Sequence, residues 1–156
     1  MRSLFVCLGF VLLCLATGGL SGWLTADSVR TWYPTLIKPS WTPPSWVFGP
    51  VWTTLYILMG IAAFLAWNAR TSRRGAAMGA FAAQLVLNAL WIVLFFGLHQ
   101  IALAAIEIVL LWIAIVVTTS LFFRASKPAG VLMLPYLAWV TYATTLTFGF
   151  WYLNGK

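Results

Sequence analysis

Apolar residues along this chain come in long blocks rather than in alternating faces. Positions 3–26, 39–69 and 128–155 carry no Asp, Glu, Lys or Arg, and the stretch between Arg74 and Arg124 carries only Glu107. A helix needs about 20 predominantly apolar residues to cross the hydrocarbon core of a bilayer. The first, second and last blocks each hold one such span. The long block holds two, with a turn near Gly97-Leu98-His99-Gln100. The predicted spans are roughly 4–24, 46–67, 78–98, 101–123 and 129–152. Runs such as Ile108 to Val117 are apolar all round, which suits helices that satisfy their own backbone. A membrane strand would instead alternate apolar and polar positions. The expectation is an all-α membrane protein: a single domain folded as a five-transmembrane-helix up-down bundle with short connections. Arg2, the apolar run Leu4–Ala16 and the small residues Ala16-Thr17-Gly18-Gly19 also resemble a signal peptide. The uncharged stretch continues through Trp23 and Leu24, however, and is long enough to span.

Composition removes the soluble alternatives. Of 156 residues, 63% are hydrophobic and 7% charged, against roughly 25% charged in average proteins. The net charge of +7 does not point to nucleic acid, because the basic residues stand at span ends. Arg2, Arg70, Arg73, Arg74, Arg124 and Lys127 fall on one side; Arg30, Lys38 and Lys156 fall on the other. By the positive-inside rule this bias places the N-terminus in the cytoplasm and the first loop outside. Short loops and the lack of a mitochondrial tail suggest a bacterial membrane. Cys7 and Cys14 are about 10.5 Å apart along a helix, beyond disulfide reach, and with one His they make no metal site. No Ser/His/Asp set, phosphate loop or carboxylate pair is present, so soluble-enzyme chemistry has no support.

One connection is long, from about 25 to 45, and it holds Trp32, Tyr33, Pro34, Pro39, Trp41, Pro43 and Pro44. Its prolines exclude a regular helix through most of it. It reads either as an interfacial aromatic belt or as a structured lid over a cavity at the helix ends. Small residues recur at close-packing spacing: Gly18 and Gly22 in the first helix, and Gly75, Gly79 and Ala83 in the third. These serve either intramolecular packing or, in the third helix, a homodimer seam. No internal repeat is visible, which does not favour an inverted-repeat transporter.

Polar groups within lipid usually face the bundle interior. Gln84, Asn88 and Trp91 share one face of the third helix, and Phe48, Trp52 and Tyr56 one face of the second. Trp139, Ala143 and Leu146 share a face of the fifth; Leu103, Glu107 and Leu110 share one of the fourth. If these faces converge, they enclose an aromatic cavity for a flat, apolar ligand with a few polar edges. Core packing is the other reading of the same stripes. Glu107 is either a paired structural acid or a functional one. His99 is expected to be exposed in its turn.

Longer motifs are more specific. Trp32-Tyr33-x-x-Leu36-x-Lys38-Pro39-Ser40-Trp41-x-Pro43-Pro44, followed by Phe48, Trp52-x-x-Leu55-Tyr56 and Met59, resembles the first-loop and second-helix signature of the translocator protein (TspO/MBR) family. That family is also called tryptophan-rich sensory protein or peripheral-type benzodiazepine receptor. Ala83-Gln84-Leu85-x-Leu87-Asn88-x-x-Trp91 with Phe95-Phe96-Gly97 resembles its third helix. Ala129-Gly130-x-Leu132, then Pro135-Tyr136-x-x-Trp139-x-x-x-Ala143-Thr144-x-Leu146, resembles its fifth. The likeness runs in order over about residues 18–154. It implies a five-helix bundle, often homodimeric, that binds tetrapyrroles (porphyrin or heme) as ligand with no obligatory cofactor. In some members it implies cholesterol or benzodiazepine-type ligands.

By motif, the resemblance puts Tyr33, Pro43, Trp52, Tyr56, Asn88, Trp91, Trp139 and Ala143 in the ligand pocket, with Phe48, Gly49, Leu103, Ile106, Leu110 and Leu146 behind them. It favours a structural or pocket-edge role for Glu107. Two positions depart from the pattern. Thr147 stands where the family often has Asn, and Phe148 where its cholesterol motif usually has tyrosine; Leu146, Tyr152 and Lys156 satisfy that motif only loosely. The leading expectation is a tetrapyrrole-binding membrane receptor or sensor. The alternatives are light- or oxygen-dependent porphyrin breakdown, with Trp139 as electron donor, and a transporter using Glu107 as a proton-coupled carboxylate.

Overall fold

The computed structural model describes residues 2–155, the side chain of Arg2 excepted. Lys156, which the charge bias and the loose Leu146/Tyr152/Lys156 pattern both invoke, lies outside the described residues. The elements are α1 (Arg2–Leu24), a short α2 (Ala26–Thr31), α3 (Phe48–Asn68), α4 (Arg74–Ile92), α5 (Ile101–Ala125) and α6 (Lys127–Asn154). Five of these helices are long and apolar enough to cross a membrane; α2 is not one of them. The chain is an all-helical, multi-pass membrane bundle, and no strand occurs among the described residues.

Two boundaries differ from the sequence reading. The α4 helix starts at Arg74, not near 78, because Gly75, Ala76 and Ala77 extend the span to its flanking arginines. The long connection also contains helix, in α2. All the prolines of the connection follow Thr31, so nothing blocks a turn of helix at 26–31. Asp27 in its first turn and Arg30 in its last complement the helix dipole.

Around the bundle the order is α1, α3, α6, α5, α4, with α4 returning to α1. The short 69–73 connection therefore joins two helices whose main partners are other helices. Backbone proximity explains the tight α1–α3 pair. A Cβ on Gly60 would lie 2.5 Å from Val11 Cα, and Ala62, Ala63 and Ala66 are fully buried. Where lipid removes the hydrophobic drive between helices, such small residues let dispersion contacts hold the pair. The core continues through Met59, Ile108, Leu111, Ile115, Phe122, Met133 and Tyr136. Large apolar side chains also cover the outside, among them Phe5, Leu12, Val86, Ile106 and Leu110. That pattern suits acyl chains as solvent.

Candidate functional site

Four helices and the long connection leave a nearly apolar cavity of about 300 Å³ in the half of the bundle near α2. Its shape follows from glycines on one wall and aromatic rings on the others. Gly18 and Gly22 line it from α1. A Cβ on Gly18 would overlap the Tyr56 ring, so only glycine lets that ring lie against α1. On α3, Phe48, Trp52 and Tyr56 recur every four residues and face inward. Trp52 stacks on Tyr56 at 5.5 Å, and Phe48 meets Trp139 of α6 edge-on at 6.0 Å. Trp91 of α4 stacks on Phe95 at 5.2 Å.

Phe95 and Phe96 both reach this region because α4 does not end as an α-helix. Residues Val93–Gly97 widen into a π-helical turn, closed by Leu98 N–H donating to the Val93 carbonyl at 2.8 Å. Such turns shift the phase of the following side chains and recur at functional sites. His99 then reverses the chain at φ 56°. It is exposed, stacks on Trp32 at 4.1 Å, and pairs with Ser28 Oγ at 3.0 Å. The α4–α5 turn is thereby tied to α2.

Beneath the cavity floor is a buried polar relay. Tyr56 Oη donates to Asn88 Oδ1 at 2.6 Å, and Asn88 Nδ2 donates to Tyr136 Oη at 3.1 Å. Asn88 is 1% exposed. The relay fixes Tyr56, whose ring lines the cavity, to α4 and α6.

The 25–45 connection divides between the two roles its sequence suggested. Tyr33 points inward and is buried, lining the cavity. Burial pushes its phenol pKa above the usual tyrosine value, and Lys38 Nζ lies 4.7 Å from its ring centre. Trp41, and Trp46 just beyond the connection, are exposed, as an interfacial belt requires. The far end of the connection is clamped to α6. Asn154 accepts from Ile37 N–H at 2.8 Å and donates to the Ile37 carbonyl at 2.9 Å. Tyr142 Oη donates to the Trp41 carbonyl at 2.5 Å. Pro39 packs where any side chain at Gly149 would stand.

Of the residues expected in the pocket, Tyr33, Phe48, Gly49, Trp52, Tyr56, Trp91, Trp139, Ala143 and Leu146 come together around this cavity. Five do not line it. Asn88 lies behind Tyr56, and Pro43 is half-buried within the connection. Leu103, Ile106 and Leu110 are 51%, 63% and 53% exposed. The inward face of α5 is instead Ala104, Ile108, Leu111 and Ile115, about a quarter-turn away. Glu107 stands at the edge of that face, buried, with no hydrogen-bond partner for either oxygen among the described residues. It does not line the cavity, so the pocket-edge reading of Glu107 is not borne out.

The sequence reading missed Thr25, Val29, Ser45, Ile92, Phe95, Phe96, Thr147 and Phe150 as lining residues, and saw Gly18 and Gly22 only as packing. Thr147, which departs from the family pattern, gives its hydroxyl to the Ala143 carbonyl at 2.9 Å.

A family model described as TspO/MBR family matches residues 10–153. The chain belongs to the TspO/MBR family. A Tryptophan-rich protein TspO from Chlorobaculum tepidum is 43% identical over 154 residues, covering 97% of this chain and 96% of that one. The Tryptophan-rich sensory protein of Cereibacter sphaeroides is 40% identical, covering 94% of this chain and 90% of its own length. The human Translocator protein is 41% identical over 123 residues, 77% of this chain and 73% of that protein. As a TspO/MBR protein, the chain is a multi-pass membrane protein of a group whose members carry sensor and translocator names. Of the signature residues, Trp52, Trp91 and Trp139 stand on the cavity wall, and Asn88 and Tyr136 on the relay behind it.

Proposed function

We propose that this TspO/MBR protein is a membrane sensor that binds a tetrapyrrole in the cavity beneath the 25–45 connection. The observation that carries this reading is the convergence of Trp52, Trp91 and Trp139, from three separate helices, on one nearly apolar hollow. Flat conjugated rings stack on indoles, and each such contact contributes about 0.5–1.5 kcal/mol beyond area burial. The volume of about 300 Å³ is at the small end for organic ligands. A porphyrin therefore enters edge-first and keeps its propionates outside. Gly22, Val29, Ser45 and Gly49 are lining residues that are also exposed, so the mouth lies between the end of α1 and the start of α3. Arg30 and Lys38, both exposed in the same connection, supply positive charge for the propionates. The cavity lining contains no His, Cys or Met, and the Tyr56 hydroxyl is committed to Asn88. Among the lining residues Tyr33 is the other tyrosine, so ring-face stacking on the indoles is the main hold offered to heme. Flat apolar molecules of the benzodiazepine type suit the same walls.

The test is titration of the purified protein with protoporphyrin IX, read by quenching of tryptophan fluorescence. A Trp52→Ala, Trp139→Ala double variant should lose at least about fivefold in affinity, from two stacking contacts of that size. Unchanged affinity removes the proposal.

The assembly we propose is a homodimer through α4. Gly75, Gly79 and Ala83 are exposed on one stripe, and a Cβ on either glycine would meet nothing within 4 Å. A Gly79→Leu variant that leaves the mass in detergent unchanged from a dimer would remove that seam. The charge bias supports an orientation with the α1 start facing the cytoplasm.

A further inference from the structure

A second, separate groove runs between α1 and α4, in the half of the bundle away from the cavity and beside the Gly75, Gly79 and Ala83 stripe of α4. It encloses about 490 Å³ and is walled by Phe10 and Leu13 of α1, Trp67 of α3, and Met78, Ala82 and Ala89 of α4, among others. Phe81, Leu85 and Val86 of α4 complete its lining. Phe10, set against Trp67 at 6.2 Å and Phe81 at 6.5 Å, forms its inner wall. The polar groups of the lining are the Thr17 hydroxyl, already given to the Leu13 carbonyl at 2.9 Å, and the Trp67 indole N–H. The groove therefore offers a ligand almost entirely apolar contact. From Met78 to Ala89 it extends about 16 Å along the helix axis. That is half of a hydrocarbon core about 30 Å thick, the depth of one leaflet.

The open end has the opposite character. Arg70, Arg73 and Arg74 crowd the turn between α3 and α4 and are all exposed. Arg74 lies over the ring of Trp67, 5.2 Å from its centre, so the groove's own wall holds a guanidinium at its mouth. No acid answers these cations. The chain has two acidic residues, of which Asp27 lies in α2 at the opposite end and Glu107 in the half of α5 nearer that end. An apolar slot one leaflet deep, with an unopposed arginine cluster at headgroup level, complements one molecule: a phospholipid with an anionic headgroup. We infer that this groove is a binding site for an anionic phospholipid. One acyl chain lies along Met78, Ala82 and Ala89, and the headgroup phosphate meets Arg70, Arg73 and Arg74. Bidentate guanidinium–phosphate geometry gives these arginines more than a diffuse attraction.

The experiment is native mass spectrometry of the detergent-purified protein titrated with dioleoyl phosphatidylglycerol or dioleoyl phosphatidylcholine. The wild type should retain one phosphatidylglycerol per chain, with at least about tenfold preference over phosphatidylcholine from charged contacts of this kind. An Arg70→Gln, Arg73→Gln, Arg74→Gln variant should lose the preference. Ala82→Phe, which fills the groove from an exposed position, should lose the bound lipid while keeping its helical circular dichroism. An Arg124→Gln, Lys127→Gln variant, altered in charge at the same membrane face but away from the groove, should keep both. Three results would overturn the site: equal retention of the two lipids by the wild type, an equal loss of preference in the Arg124/Lys127 control, or unchanged lipid retention in Ala82→Phe. A fall from dimer to monomer in Ala82→Phe without lipid loss would give the groove to a second copy of the chain.

Discussion

Replacing Asn88 by alanine isolates what holds the cavity floor. The side chain makes two hydrogen bonds, at 2.6 Å from Tyr56 and 3.1 Å to Tyr136, wholly within the bundle. A neutral hydrogen bond contributes about 1 kcal/mol net, and side-chain bonds within membrane proteins average about 0.6 kcal/mol. Two bonds lost, plus two tyrosine hydroxyls left without a partner in an apolar interior, should cost about 1–3 kcal/mol. The assay is reversible unfolding in mixed detergent micelles, run as a double-mutant cycle with Tyr136→Phe. In the native background Tyr136→Phe strands the Asn88 amide. In the alanine background it removes an already stranded hydroxyl, so it should cost less there, by about 0.5–2 kcal/mol of coupling. Protoporphyrin affinity should fall several-fold, because Tyr56 loses its anchor while its ring remains. If the two substitutions add within about 0.3 kcal/mol, the relay is not a unit, and Tyr56 is held by packing alone.

Three other outcomes follow from the same geometry. Gly18→Leu should displace the Tyr56 ring and weaken protoporphyrin binding at least as much as Tyr56→Ala, whereas Gly19→Leu, which meets nothing within 4 Å, should change it little; equal effects would contradict the α1 wall. Asn154→Ala removes both bonds to Ile37 and should speed hydrogen exchange across 33–41 without altering exchange in α5, a pattern that mass spectrometry reads directly. Tyr33 is raised by burial, so its packing is intact below the ordinary tyrosine value of about 10 and is lost as pH climbs through the raised value, since the opened connection ionises first. Exchange in the connection should accelerate above about pH 10 in the native protein more than in Tyr33→Phe; identical pH profiles would remove Tyr33 as the cause.

Much of this arrangement was legible from side-chain spacing. Blocks without charge fixed the five spans, and the four-residue repeat of Phe48, Trp52 and Tyr56 fixed an inward face whatever its partner. Three things were not legible. The face of α5 could not be chosen, because its hydrophobic residues surround the helix; Leu103 and Leu110 look no different in sequence from Ile108 and Leu111, yet lie on the outside. The π-turn at Val93–Gly97 changes which way Phe95 and Phe96 point, and periodic reasoning assumes 3.6 residues per turn throughout. The wall made by Gly18 and Gly22 works by lacking side chains. Small-residue spacing signals close approach without saying whether a helix, a ring or an open space lies opposite. Asn88 was found as a polar residue on the right face. Its burial behind Tyr56 depends on Tyr136, forty-eight residues later in the chain.

The most direct measurement is a structure of the protein with protoporphyrin IX bound in a lipid environment. The account predicts ring density among Trp52, Trp91 and Trp139, with both propionates at the mouth near Arg30 and Lys38. Density lying on the outer, lipid-facing surface, with those three indoles still lining an empty hollow, would contradict it.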